Sequence, residues 1–243
     1  MEYQITTPSD AQNISSNRVY LSGKVVSEPT YSHEIFGEGF YDIKLSVSRL
    51  SNLSDIIPVT ISERLIQDEK IVVGSDIAIK GQFRSYNKLV DGRSKLMLTV
   101  FVREVTKEHQ IENPNVIELG GYICKAPIYR TTPFNREISD ILLAVNRSYN
   151  KSDYIPAIAW GRNARFAKNM LVGEKIYVTG RIQSREYQKR LENGNVETRV
   201  AYEISINKIS REALESQFSE EDSAFIMENS EQVAGATAEA KQG

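Results

Sequence analysis

Cysteine, histidine and tryptophan are scarce in this chain, and each scarcity excludes a class of chemistry. The 243 residues include one cysteine, two histidines and one tryptophan. A lone Cys124 excludes an intrachain disulfide and fits a reducing compartment. On an apolar strand beside Ile123, it reads as a buried small hydrophobe. His33 and His109 have no Cys or carboxylate at metal-ligand spacing, so no zinc site is expected. No apolar run approaches the ~20 residues that cross a bilayer. The start, MEYQITTPSDAQNISSN, lacks the basic and apolar segments of a signal peptide. The expected location is the cytoplasm. There is no Ser/His/Asp context, no phosphate-cradling glycine loop followed by Lys-Ser/Thr and no paired carboxylates. The chain therefore reads as a non-enzyme with no cofactor and no membrane association.

What is present is a charge asymmetry. The net charge of −2 divides into 28 Lys+Arg against 24 Asp+Glu over residues 1–210, and 2 against 8 over residues 211–243. An acidic tail thus masks a mildly basic body, the balance expected of a body that meets a polyanion. The tail is rich in Glu, Ser, Ala and Gln and reads as flexible after a short helical start.

The chain also repeats itself. Residues 21–31 (LSGKVVSEPTY) match residues 119–129 (LGGYICKAPIY) at an offset of 98. The same offset pairs Asp42 with Asp140, Val47 with Val145, Arg49 with Arg147, Asp55 with Asp153 and Pro58 with Pro156. An offset of 99 then pairs Gly74, Ile77, Gly81 and Ser85 with Gly173, Ile176, Gly180 and Ser184. Asp91-Gly92 and Asn193-Gly194 fall at equivalent hairpin positions. Two copies of one domain are expected, at 18–109 and 115–210, between a polar arm at 1–17 and the acidic tail at 211–243.

Each copy reads as five short strands, rich in Val, Ile and Tyr, with a helix between the third and fourth. In the second copy the strands are placed near 116–125, 138–147, 154–160, 175–185 and 197–208, and the helix over 163–171. Gly173 is a plausible helix stop, and Gly180 marks a sharp bend in the fourth strand. This order is that of the oligonucleotide-binding (OB) barrel. The fold class is all-β with one short helix per copy: two tandem five-stranded OB barrels and a disordered acidic tail.

The second copy resembles the bacterial single-stranded DNA-binding protein family. The resemblance rests on LGGYI at 119–123, Trp160-Gly161 with its Arg/Ala-rich helix, GEKIYVTGRI at 173–182, and the REY and Asn193-Gly194 hairpin. It implies stacking aromatics on an open face and basic residues along the phosphates. Tyr149, Tyr154, Trp160 and Tyr187 match the family's stacking positions. Stacking suits unpaired bases of any sequence, since each offers a flat π-face. Arg147, Arg162, Arg165, Arg181, Arg185, Lys189 and Arg190 are the candidate phosphate contacts. The helix charges Arg162, Arg165 and Lys168 read equally as a solvated face, and Tyr177 and Tyr202 as packing residues.

At the positions aligned with the four aromatics, the first copy has Ser51, Ile56, Ser62 and Lys88. It carries 13 Lys+Arg against 12 acids, where the second carries 15 against 9. The second copy is therefore expected to bind and the first mainly to scaffold. The resemblance further implies sequence-tolerant binding of single-stranded DNA in replication, recombination or repair, at the nucleoid, by a homodimer with four barrels. Family tails recruit replication and repair proteins through a hydrophobic tip. Here the chain ends AEAKQG, and the nearest apolar element is internal, EEDSAFIM at 220–227. A protein-interaction barrel of primosome type and an RNA-binding OB protein are the alternatives.

Overall fold

A computed structural model describes residues 17–51, 53–90, 92–107, 109, 112–147, 150–190, 194–214, 216 and 218. Of the expected polar arm at 1–17, residues 1–16 lie outside the described residues and Asn17 opens the first strand; most of the acidic tail also lies outside them.

Among the described residues, twelve strands and two short helices make the fold. The first half contains β1 (Asn17–Val25), β2 (Thr30–Ile35), β3 (Glu38–Ser48), β4 (Ser54–Ser62), α1 (Glu63–Asp68), β5 (Asp76–Val90) and β6 (Arg93–Thr106). The second repeats the order with β7 (Asn115–Ile123), β8 (Ile128–Thr131), β9 (Glu137–Arg147), β10 (Lys151–Trp160), α2 (Arg162–Ala167), β11 (Lys175–Arg190) and β12 (Val196–Ser210). In each half the helix follows the strand before the long hairpin, as the OB order requires. A short additional strand, β2 or β8, lies on the outer edge beside the five expected.

Alternation of apolar residues drives each strand to give one face to a core. In β4, Asp55, Ile57, Val59 and Ile61 point inward, and in β11, Ile176 and Val178 do the same. β1 also pairs with β3, and β7 with β9, so each half closes on itself. One parallel contact per half, β4 with β6 and β10 with β12, completes the ring. The long hairpins β5–β6 and β11–β12 project beyond the barrels, where β5 is exposed from Tyr86 to Val90 and β11 from Arg185 to Arg190.

Gly180 behaves as its place in the repeat suggests. The β11–β12 register shifts between Thr179 and Gly180, and a Cβ at Gly180 would lie 2.2 Å from the Ser205 carbonyl oxygen. Gly81 is equivalent: its shift lies at Lys80/Gly81, with the Phe101 carbonyl oxygen 2.3 Å away. These bulges bend the strands where the barrels close.

The helix of the second half is shorter than its pattern predicts. It ends at Ala167, burying Ala164 and Ala167, while Phe166 and Leu171 remain exposed. Gly173 lies in the turn before β11 with φ of 89°, donating its N–H to the Ile123 carbonyl at 2.9 Å. Cys124 is half-buried, because it follows the end of β7 rather than lying within it.

The halves join edge to edge. β1 pairs antiparallel with β7 from Asn17↔Leu119 to Leu21↔Asn115, making one continuous sheet. The Asn17 side chain donates to the Phe83 carbonyl and accepts the Phe83 N–H, at 2.7 and 2.9 Å. Asn115 brackets Ile182 at the same two distances. Arg18 and Glu118 form a buried ion pair across the junction at 2.9 Å. Phe218 covers the small apolar group Tyr20, Ala78 and Val116, with the Arg18 guanidinium 5.2 Å from its ring centre.

Candidate nucleic-acid interface

The outer face of the second barrel is set by strand alternation. On β10, Asp153, Ile155, Ala157 and Ala159 point inward, leaving Tyr154, Pro156, Ile158 and Trp160 on the other face, where Ile158 is itself buried. On β11 beyond the bulge, Ile182 is inward, so Arg181, Gln183, Arg185, Tyr187 and Lys189 share the other row. The registers Ile158↔Ser205 and Arg181↔Ser205 put both rows on one face. Tyr154, Trp160 and Tyr187 are 45%, 37% and 38% exposed there. Three aromatics and three cations predicted from sequence thus meet on one surface.

The other sequence candidates are placed differently. Arg190 is exposed on the opposite side of the β11 arm, and Arg162 is exposed at the start of α2. Arg165 pairs with Glu137 at 3.2 Å. Tyr149 lies outside the described residues. Arg147 ends β9 and contacts the fully buried Asp153 at 3.1 Å. Arg181 contacts the buried Asp55 of the first barrel at 3.2 Å. Arg185 is held 3.4 Å from Glu203 and lies 5.9 Å from the centre of the Tyr187 ring.

Asp55 and Asp153 tie the two barrels together. Asp55 accepts the N–H of Ser184 at 2.7 Å and pairs with Arg49, while Asp153 accepts the N–H of Ser85 at 2.6 Å and pairs with Arg147. The return bonds complete each clamp: the Tyr154 N–H donates to Ser85 Oγ at 2.7 Å, and the Ile56 N–H to Ser184 Oγ at 3.3 Å. Burial pushes the Asp55 carboxyl up. The Arg49 hydrogen bond, the Ser184 N–H and the charges of Arg49 and Arg181 outweigh it, holding the group below its ordinary value. Desolvation and the neighbouring Arg49 lower the Arg181 pKa, with Asp55 opposing.

The first barrel differs at the aligned positions. Ser62 caps α1 through a 3.4 Å bond from the Leu65 N–H, Ile56 is 37% exposed, and Ser51 and Lys88 are exposed. Aromatics occur at other places in the first barrel, with Phe40 buried beneath its neighbours. His33 stacks on Phe40 at 5.2 Å, Phe40 meets Phe101 at 5.2 Å, and Tyr31 meets Tyr41 edge-on at 5.7 Å. Of these residues only Tyr31 has an aromatic counterpart in the second copy, Tyr129; His33, Phe40, Tyr41 and Phe101 align with Thr131, Ile138, Ser139 and Ser205. The alternation Gln82, Arg84, Tyr86 and Thr99, Phe101, Arg103 carries the signal instead.

Residues 114–211 match the Single-strand binding protein family. The matched residues are those of the second barrel, β7 to β12. A single-stranded DNA-binding protein of Clostridium tetani is 34% identical over 83 residues, covering 31% of this chain and 57% of that protein. Single-stranded DNA-binding protein A of Bacillus subtilis is 32% identical over 83 residues, covering 31% and 48%. The chain thus spans about half the length of the curated relatives it matches. The crystal structure of the single-stranded DNA binding protein from Thermus aquaticus superposes with a TM-score of 0.63 at 18% identity, covering 84% of this chain and 96% of that one. That likeness establishes the tandem OB fold across both halves. The single-strand binding match covers the barrel that presents Tyr154, Trp160 and Tyr187. Among the described residues no helix is long and apolar enough to cross a membrane, and no cluster of three metal-ligating side chains occurs.

Proposed function

We propose that the chain binds single-stranded DNA with little sequence preference, along the outer face of the second barrel. The observation that carries this reading is the shared face of Tyr154, Trp160, Tyr187, Arg181, Arg185 and Lys189. Its aromatics are accessible enough to stack on bases, and its cations lie between them to meet phosphates. The interaction-module alternative gives no reason for aromatics and cations to alternate on one face. Binding of this kind protects unpaired strands during replication, recombination or repair in the cytoplasm.

By analogy with the resembled family, in which four such domains assemble, the proposal extends to a homodimer of this two-barrel chain, with the acidic tail as the segment available to replication and repair partners. The test is competition for a fluorescently labelled oligo-dT, followed by anisotropy. Unlabelled dT displaces the probe, whereas a duplex of equal length competes at least tenfold more weakly. Equal competition by duplex overturns the reading. Stronger competition by the matching ribo-oligomer moves the function to RNA.

A further inference from the structure

The seam between the barrels carries more positive charge than it neutralises. Arg84 and Arg103 project from the outer face of the first barrel, half-buried, beside Arg147 of the second. Asp153, whose charge acts on Arg84, is engaged through Oδ1 by Arg147 and the Ser85 N–H, while its buried Oδ2 has no partner among the described residues, and Gln82 Oε1 accepts from both Arg84 and Arg103. Arg84 Nε is buried without a hydrogen-bond partner among the described residues. Burial and then the charges of Arg147 and Arg103 push the Arg84 pKa down to about 10, with Asp153 opposing, so the cluster repels itself.

The equivalent place in the second barrel is balanced. The Gln82↔Phe101 and Arg84↔Thr99 pairs of the first hairpin correspond to Arg181↔Ser205 and Gln183↔Glu203 in the second. There Glu203 accepts from Gln183 at 2.8 Å and lies 3.4 Å from Arg185. In the first barrel Thr99 occupies the Glu203 position and supplies no charge. Phe101 backs the cluster, with Arg84 and Arg103 at 5.7 and 5.1 Å from its ring centre.

We propose that Arg84, Arg103 and Arg147 form a phosphate site at the seam, where a single strand crosses from the second barrel onto the first. A phosphodiester offers oxygens to several guanidinium forks at once, which a lone carboxylate does less well. Exposed aromatics flank the site. Tyr154 stands on the second barrel beside Ser85, and Tyr86, 41% exposed, follows Ser85 on the first. A base stacked on either tyrosine brings its phosphate toward the three arginines. The first barrel then shares in binding although it lacks the second barrel's platform. This inference rests on the single-strand reading above.

The test uses the full chain and oligo-dT, comparing wild type with R84Q and R103Q. Three readouts are the slope of log affinity against log salt, the quenching of Trp160 fluorescence, and thermal stability. Each substitution is expected to make the slope shallower by about 0.7, the value of one single-strand phosphate contact, with Trp160 quenching retained. An unchanged slope in folded variants, with wild type binding normally, overturns the site while leaving the proposed function intact. A rise in melting temperature alongside that unchanged slope identifies the cluster as structural strain alone. Should R84Q fail to fold, R103Q decides. Absence of wild-type binding removes both proposals together.

Discussion

The carboxylate of Asp55 in the first barrel accepts the main-chain N–H of Ser184 in the second at 2.7 Å. Because Asp153 and Ser85 repeat the contact at 2.6 Å, the two barrels hold each other by a self-complementary clamp. Each aspartate also neutralises an arginine of its own barrel. Residues repeated along the sequence therefore include those that bind one repeat to the other.

D55A is expected to lower stability by about 3 kcal/mol, the low end for breaking a buried ion pair, because Arg49 and Arg181 retain solvent contact. The loss depends on pH with a definite sign. The folded pKa of Asp55 lies below its ordinary value, so its contribution is complete above the unfolded pKa and disappears as pH falls through the folded one. Urea unfolding at pH 7 and in acid checks this. The wild-type and D55A curves should converge on acidification.

G180A is expected to cost about 1–3 kcal/mol, since the added methyl meets a backbone carbonyl that cannot move without reopening the bulge. Denaturant unfolding measures it. G194A is a useful contrast: a Cβ at Gly194 would meet nothing within 4 Å among the described residues, but its φ is 83°, so the cost expected is that of backbone strain.

Y154A and Y187A should each weaken oligo-dT binding by about 1–3 kcal/mol, roughly 5- to 150-fold, if each ring carries a stacked base. Both rings are exposed, so melting temperatures should barely change. Anisotropy titration and thermal unfolding separate the two effects.

The tandem barrels were legible because turn glycines, strand alternation and the paired offsets of 98 and 99 all depend on local geometry. Tyr154, Trp160 and Tyr187 were legible as one set through their family positions, and strand parity puts them on one face. Arg147 and Arg181 show where such reading stops. Each looks like a free cation in the sequence, yet its carboxylate partner lies across a hairpin or 126 residues away. Pairing of that kind is decided by tertiary packing. The seam cluster escaped for the same reason, since Arg84 and Arg147 come from different copies. Comparing copies position by position shows a missing tyrosine but not an unbalanced arginine at an unrelated site.

Trp160 gives the most direct measurement, being the single tryptophan and 37% exposed on the proposed face. Titration with oligo-dT at low and high salt, followed by its fluorescence, reports stacking and phosphate contact together. Strong quenching, with affinity falling as salt rises, is the predicted result. No binding at low salt would contradict the single-strand function.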